Sequence, residues 1–134
     1  MKKIITTKFS TVEVVNNYLV VTMNDGSNLG DIELSYIQEI ANEHIVGQMG
    51  YISNHIHDYS ISPVDVVSFV INNPRVKYIA YVADEGDHRS RLMALLRLIP
   101  SAVKFRTFRN LGAAKEWIEE NVKIENRNEG LVNS

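Results

Sequence analysis

The chain has 134 residues, of which 45% are hydrophobic and 22% charged, a composition typical of one globular domain. Its net charge of -2 gives no general attraction to nucleic acid, and the absence of cysteine excludes disulfides, thiol redox chemistry and cysteine zinc sites. No apolar run approaches the ~20 residues that span a bilayer, and the N-terminus lacks a signal-peptide pattern. We therefore predict a cytoplasmic protein with no integral membrane segment and no nucleic-acid partner.

The first predicted element is an antiparallel β-hairpin. Residues 12–15 and 18–23 are two largely apolar runs that flank Asn16 and Asn17. Asparagine tolerates the left-handed backbone of a tight two-residue turn, so this pair is suited to joining the two strands. A short segment around Leu29 is expected to continue the strand pairing.

A helix is predicted next, from residues 32–35 to Val46. Ser35 followed by Gln38 has the form of a capping box, and the apolar residues that follow recur at helical spacing. Gly47 is the predicted C-cap, because glycine commonly follows the last turn of a helix.

Strands and helices alternate over the rest of the chain. The predicted elements are a strand at 50–56, a helix starting at Ser62-Pro63, a strand at 76–83, a helix ending at Pro100, a strand near the sheet edge at 103–108, and a helix capped by Asn110. Lys115 and Glu119 have the i,i+4 spacing of a surface ion pair. This alternation predicts one α/β domain over residues 1–124, with a mixed sheet, parallel β-α-β crossovers and about four helices. Residues 125–134 are predicted to form a polar, mobile tail.

A candidate functional edge follows from this topology. Ligands bind such sheets outside the carboxyl ends of the parallel strands, and the loops at 54–62, 84–89 and 109–110 should leave those ends. The candidate residues for binding a ligand or partner are His55, His57, Asp58, Tyr59, Ser60, Asp84, His88 and Arg89. We expect them to lie on one surface.

Parts of this edge also allow narrower interpretations. His55 and His57 lie on one face of an extended segment, and Asp58 could join them in a metal site, although no further ligand is defined. The acidic turn at 84–87 lacks the ligand spacing of an EF-hand, and no spacing around Ser60 implies a catalytic triad. We predict no cofactor and no catalytic residue.

Three segments carry a family resemblance. They are residues 51–63 (YISNHIHDYSISP), 76–82 (VKYIAYV) and 105–118 (FRTFRNLGAAKEWI). Together with the order of elements, they resemble the STAS-like or SpoIIAA-like group of small bacterial domains, over residues 9–122. The resemblance implies a four- or five-stranded mixed sheet flanked by helices, in a family usually without enzymatic activity.

The resemblance also implies a mode of regulation. STAS domains are binding modules, and some are anti-sigma factor antagonists switched by phosphorylation of a serine at the start of a helix. Ser60 and Ser62 are the corresponding candidates, since a phosphate there would meet the free N–H groups of a helix N-terminus. The family motif has Asp directly before the serine, whereas Tyr59 precedes Ser60 here.

Three functions are therefore expected, in order. The first is a non-enzymatic STAS-like module, regulatory in role, that binds a protein partner or small ligand and is compatible with a homodimer. The alternative is a carrier of a lipid or other small apolar ligand, since SpoIIAA-like proteins are related in shape to lipid carriers. It requires an apolar cavity between the helix at 64–71 and the sheet. The third is a small metal-dependent enzyme at His55, His57 and Asp58.

Overall fold

A mixed sheet with helices on both faces forms the structure. The computed structural model describes residues 2–54, 60–61, 63–82 and 97–133. In chain order the elements are β1 (Lys2–Thr6), β2 (Ser10–Val15), β3 (Tyr18–Met23), β4 (Asn28–Leu29), α1 (Asp31–His44), β5 (Met49–Asn54), β6 (Ser60–Ile61), α2 (Pro63–Asn72), β7 (Val76–Val82), β8 (Lys104–Phe108) and α3 (Leu111–Asn133). In these residues six strands form the main sheet, in the order β1-β2-β3-β5-β7-β8, and β4 pairs with β6.

The predicted hairpin is confirmed. Strands β2 and β3 are antiparallel with Val15 opposite Tyr18, and Asn16 has the positive φ, 48°, that its turn requires. An additional antiparallel strand, β1, was not predicted. Its sequence signal is weak because it lies at the sheet edge, where Ile4 is 61% exposed and two lysines precede the apolar pair.

The parallel half of the sheet also agrees with the prediction. Strand β5 pairs in parallel with β3 and β7, and β7 pairs in parallel with β8. All of β5 and nearly all of β7 are buried, as a central position requires, and β8 lies at the edge. With six strands in the described residues, the main sheet is wider than the four or five that the resemblance implies.

Both predicted ends of the first helix are wrong. Helix α1 begins after the N-cap Gly30, so Ser35 lies inside the helix and its hydroxyl donates to the Asp31 carbonyl at 2.9 Å. The helix ends at His44 with Ile45 as C-cap, so Gly47 follows the helix as a separate left-handed residue. Backbone carbonyls at this end accept hydrogen bonds from Arg75, a distant residue that local spacing does not reveal.

The other helices begin where the sequence predicts. Helix α2 begins at Pro63, and the Asn110 side-chain oxygen caps α3 by accepting from the Ala113 N–H at 2.8 Å. Helix α3 continues across residues 125–133, for which a tail was predicted; the mobility of that segment stays a prediction. Three helices lie within the described residues, and most of the predicted helix ending at Pro100 lies outside them. None of the described helices is long and apolar enough to cross a membrane.

Each face of the sheet has its own core. Helices α1 and α2 cover one face, where the Phe69 ring lies 6.2 Å from that of Tyr51 and Val70 is 4% exposed. Helix α3 covers the other face, where Ile118 packs among residues such as Ile52 and is fully buried. The described part of α2 thus packs directly on the sheet.

Polar side chains also join α3 to the sheet. Lys115 Nζ lies 3.2 Å from Glu13 on β2, and the Tyr18 hydroxyl donates to Glu119 at 2.6 Å. The predicted surface pairing of Lys115 with Glu119 is therefore replaced by contacts across to the sheet. Burial raises the pKa of the Tyr18 hydroxyl above its ordinary value, and the hydrogen bond to Glu119 and the negative charges of Glu119 and Glu13 raise it further.

Tyr18→Phe is expected to destabilise the protein at neutral pH by about 1 kcal/mol, because one partly buried hydrogen bond is lost. The raised pKa of Tyr18 gives the wild type a stabilising term that is complete below the unfolded-state pKa near 10. Above pH 10 the unfolded chain ionises first, and the wild type should lose up to about 1.4 kcal/mol per pH unit. Urea unfolding at neutral and alkaline pH measures both effects.

The variant Tyr36→Phe is the matched control for loss of a tyrosine hydroxyl, because Tyr36 is 50% exposed. Tyr18→Phe should have a shallower slope than both proteins. Equal slopes in all three would show that Tyr18 ionises in the folded protein as readily as in the unfolded chain.

Candidate functional site

A buried carboxylate lies where α1 meets the end of the sheet. Glu33 is in the first turn of α1 and is 2% exposed. Its Oε1 accepts hydrogen bonds from the hydroxyls of Thr7 at 2.7 Å and Ser10 at 2.5 Å. Thr7 Oγ1 in turn accepts from the backbone N–H of Ser10 at 2.9 Å, so the turn before β2 holds both hydroxyls in place. The positive end of the α1 dipole favours an acidic residue at this position.

The second oxygen of Glu33 differs from the first. Within the described part of the chain, Oε2 is buried and has no hydrogen-bond partner. A buried acceptor without a donor is uncommon, because loss of its hydration is not compensated.

A cleft of about 420 Å³ lies beside this carboxylate. It is lined by Phe9, Asn28, Gly30, Asp31, Ile32 and Glu33, and we call it the α1 cleft. Its lining residues are two acidic residues, one asparagine, one glycine and two apolar residues. Its volume is within the range of small-molecule sites.

Strand β4 connects the α1 cleft to the predicted functional edge. The segment around Leu29 was expected to extend the hairpin, but it pairs in parallel with β6, opposite Ile61. The same pairing sets Asn28, which lines the cleft, opposite Ser60, which was predicted to bind a ligand or partner.

The carboxyl ends of the central strands lie next to one another. Asn54 ends β5 in register with Val82 at the end of β7, and Val82 is in register with Phe108 of β8. The segments that follow β5 and β7 therefore begin side by side. Asn54 Nδ2 donates to Thr22 at 3.2 Å, and its buried Oδ1 has no partner among the described residues.

Of the predicted site residues, the structure places Ser60, on β6. The others lie outside the described residues and stay predictions: His55, His57, Asp58, Tyr59, Ser62, Asp84, His88 and Arg89. Among the described residues, no group of three or more His, Cys, Asp or Glu side chains could hold a metal ion. Phosphorylation of Ser60 or Ser62 also stays a prediction.

Sequence reasoning missed the Glu33 cluster, although one signal was available. The apolar spacing of α1 continues one turn before Ile37, which puts Glu33 on the buried side of the helix. A carboxylate in a buried apolar stripe indicates a polar partner inside the protein. Because the helix was predicted to begin within residues 32–35, the position of Glu33 in this buried stripe was not recognised.

Comparisons with known proteins support the fold. No family model matches the chain, and no curated protein does. The chain is similar to the crystal structure of an uncharacterised protein of the DUF3478 family, with a SpoIIAA-like fold, from Shewanella loihica PV-4. Sequence identity is 12% and the TM-score is 0.51, over 88% of this chain and 92% of that chain. The chain therefore has a SpoIIAA-like fold, as the sequence resemblance predicted, but fold does not specify function.

Proposed function

We propose that this protein is a non-enzymatic STAS-like binding module whose ligand or protein partner contacts one continuous edge. That edge comprises the α1 cleft and the segments at 54–62 and 84–89. The observation that carries the proposal is the α1 cleft of about 420 Å³, whose lining residue Asn28 pairs with Ser60 of the predicted edge.

The bonding of the cluster supports binding more than catalysis. Ser10 is fully buried, and its hydroxyl already donates to Glu33. The Thr7 hydroxyl donates to the same oxygen and accepts from the backbone. These hydroxyls therefore orient a fixed acceptor and are not presented as nucleophiles.

Binding at this edge is testable with a panel of small cationic, anionic, neutral polar and apolar fragments. Fragments that bind should shift the backbone amide resonances of residues 28–34 and 60–61 in ¹⁵N-labelled full-length protein. A panel that shifts no resonance in these two segments, or only resonances elsewhere, would contradict the proposed function.

A pair of variants separates cleft binding from nonspecific contact. Ile32→Trp places a large side chain at the mouth of the α1 cleft and should weaken every fragment that binds there. Tyr36→Trp is the control. Tyr36 lies one turn further along α1 and, like Ile32, is a large exposed hydrophobic residue, so fragment binding should be unchanged in this variant. The same titrations on His57→Ala and His88→Ala test the remainder of the edge. A ligand that contacts both the cleft and these histidines should bind the two variants more weakly than the wild type.

A further inference from the structure

We infer that two copies of this chain associate through β1, whose open edge pairs with the same strand of the second copy in antiparallel orientation. The inference goes beyond the proposed function, because β1 is not part of the proposed binding edge. In the described residues β1 ends the main sheet, and within that sheet it pairs only with β2. Four of its five residues are exposed. An uncovered strand edge presents backbone donors and acceptors that a further strand can bond.

The turn before β2 establishes which backbone groups of β1 face outward. The Thr7 N–H donates to the Ser10 carbonyl at 2.9 Å, so the backbone groups of Thr7 face β2. Successive residues of an antiparallel strand direct these groups to alternate sides, so those of Ile5 and Lys3 face β2 as well. The N–H and C=O groups of the intervening residues point away from the sheet: Lys2, Ile4 and Thr6.

These outward groups are complementary to a second copy of themselves. A two-fold axis at Ile4 sets this residue opposite Ile4 of the second copy and sets Lys2 opposite Thr6 of the second copy. All the outward groups then lie in hydrogen-bonded pairs, each of which exchanges two hydrogen bonds. Because both copies use the same strand, the arrangement closes as a dimer.

Charge favours this register over its neighbour. An axis at Lys3 would set two lysines directly opposite each other, which is destabilising. In the register centred on Ile4, Lys3 lies opposite Ile5 of the second copy, where its alkyl chain can pack while its charge stays in water. Lys2 Nζ lies 3.2 Å from Glu13 of its own chain, which offsets its positive charge.

Charge also disfavours the other way of joining two sheet edges. Strand β8 ends the main sheet on the opposite side and carries the exposed cations Lys104 and Arg106. Pairing β1 with β8 of another copy would therefore bring strands of like charge together. Such a head-to-tail contact would also leave one edge of each sheet open. The two-fold pairing of β1 avoids both costs.

The apolar contact of the proposed dimer comes from Ile4. Its register opposite Glu13, which binds Lys115, places it on the sheet face that α3 covers. Pairing brings the two Ile4 side chains together and removes apolar surface from water. Five residues a strand form a smaller interface than the roughly 1,200 Å² of stable complexes, so we expect a dissociation constant on the order of 100 μM.

Sedimentation equilibrium of the full-length protein from about 10 μM to 1 mM tests association, and the average mass should rise from one chain toward two. NMR tests the register in a mixture of isotope-labelled and unlabelled protein. A filtered NOE should connect Lys3 Hα with Ile5 Hα of the second copy, because these residues form the closely spaced, non-hydrogen-bonded pair. The Ile4 amide should gain protection from hydrogen exchange as concentration rises, whereas the Ile5 amide, which faces β2, should be protected throughout.

Variants assign the association to the β1 edge. Ile4→Pro removes an outward N–H and no bond to β2, so β1 should remain in the sheet. Ile4→Lys sets two cations opposite each other, and each variant should raise the dissociation constant at least about tenfold. Ile71→Lys is the matched control: Ile71 is 56% exposed on α2, and its replacement should leave association unchanged. The dispersion of the amide spectrum verifies that each variant is folded.

Three results would overturn the inference. The first is the mass of a single chain at every concentration, and the second is a dimer that Ile4→Pro and Ile4→Lys leave unchanged. The third is a filtered NOE that connects residues other than Lys3 and Ile5. If an added extended peptide, and not a second copy, protected the Ile4 amide, the edge would accept a foreign strand and the inference would also fail. The proposed function is tested separately, by fragment binding at residues 28–34 and 60–61.

Discussion

Gly50→Ala is expected to destabilise the protein by about 3 kcal/mol, because the added methyl group has no space. A Cβ at this position would lie 2.7 Å from Ile118 Cγ2 and 3.3 Å from Tyr18 Cβ. Ile118 and Tyr18 are at most 2% exposed, so neither can move into solvent to relieve the overlap. Urea denaturation compared with the wild type measures the loss.

A double-mutant cycle tests the origin of that loss. Ile118→Ala removes both side-chain atoms nearest to the new methyl group and should itself cost about 3 kcal/mol through the cavity that it leaves. The Gly50→Ala/Ile118→Ala protein should be more stable than the sum of the single changes predicts, by at least about 1 kcal/mol. Additive losses would assign the effect of Gly50→Ala to another cause. Gly112→Ala is the control, since its new Cβ would approach no atom closer than 3.4 Å.

Arg75→Met is expected to cost about 2–3 kcal/mol, because the C-terminal end of α1 loses two charged donors. Arg75 Nη1 donates to the Ile45 carbonyl at 2.8 Å, and Nη2 donates to that of Ala41 at 3.3 Å. The Arg75 backbone carbonyl also accepts from Met49 at the start of β5, so this residue connects α1 to two central strands. Thermal or urea unfolding gives the magnitude, and amide hydrogen exchange in the last turn of α1 should accelerate.

Two further variants separate hydrogen bonding from charge. Arg75→Lys keeps a cation near the negative end of the α1 dipole but cannot reproduce the two-pronged contact, so it should recover only part of the stability. Arg97→Met removes an exposed arginine and should change stability by less than about 0.5 kcal/mol. If Arg75→Lys were as stable as the wild type, charge alone would account for the stabilisation.

The arrangement of the sheet was largely predictable, because its signals are local and repeated. Residues 76–83 are apolar on both faces, and the alternation of strands and helices restricts their connections to parallel crossovers. The parallel direction of these strands also located the predicted functional edge at their carboxyl ends. The width of the sheet was not predictable, since β1 has only Ile4 and Ile5 as apolar residues and becomes a strand by pairing with β2.

The α1 cleft was not predictable from local patterns. Its carboxylate receives hydroxyl groups from residues 26 and 23 positions earlier in the chain, and its Asn28 pairs with Ser60 through a second small sheet. Each of these residues has an ordinary surface interpretation when read alone. Thr7 and Ser10 reach Glu33 only because the turn between β1 and β2 lies against the start of α1.

The sequence by itself determined the features that depend on neighbouring residues. Asn16 could form the hairpin turn because its side chain tolerates a positive φ, and Asn110 could cap α3 because its acceptor reaches the Ala113 N–H. Tertiary structure decided which partners the charged groups take. Lys115 and Glu119 have helical spacing for each other but bond to the sheet, since the packing of α3 brings a carboxylate and a hydroxyl within reach. Turns and caps follow from short-range sterics and hydrogen bonding, whereas ionic partners are chosen only after distant elements have come together.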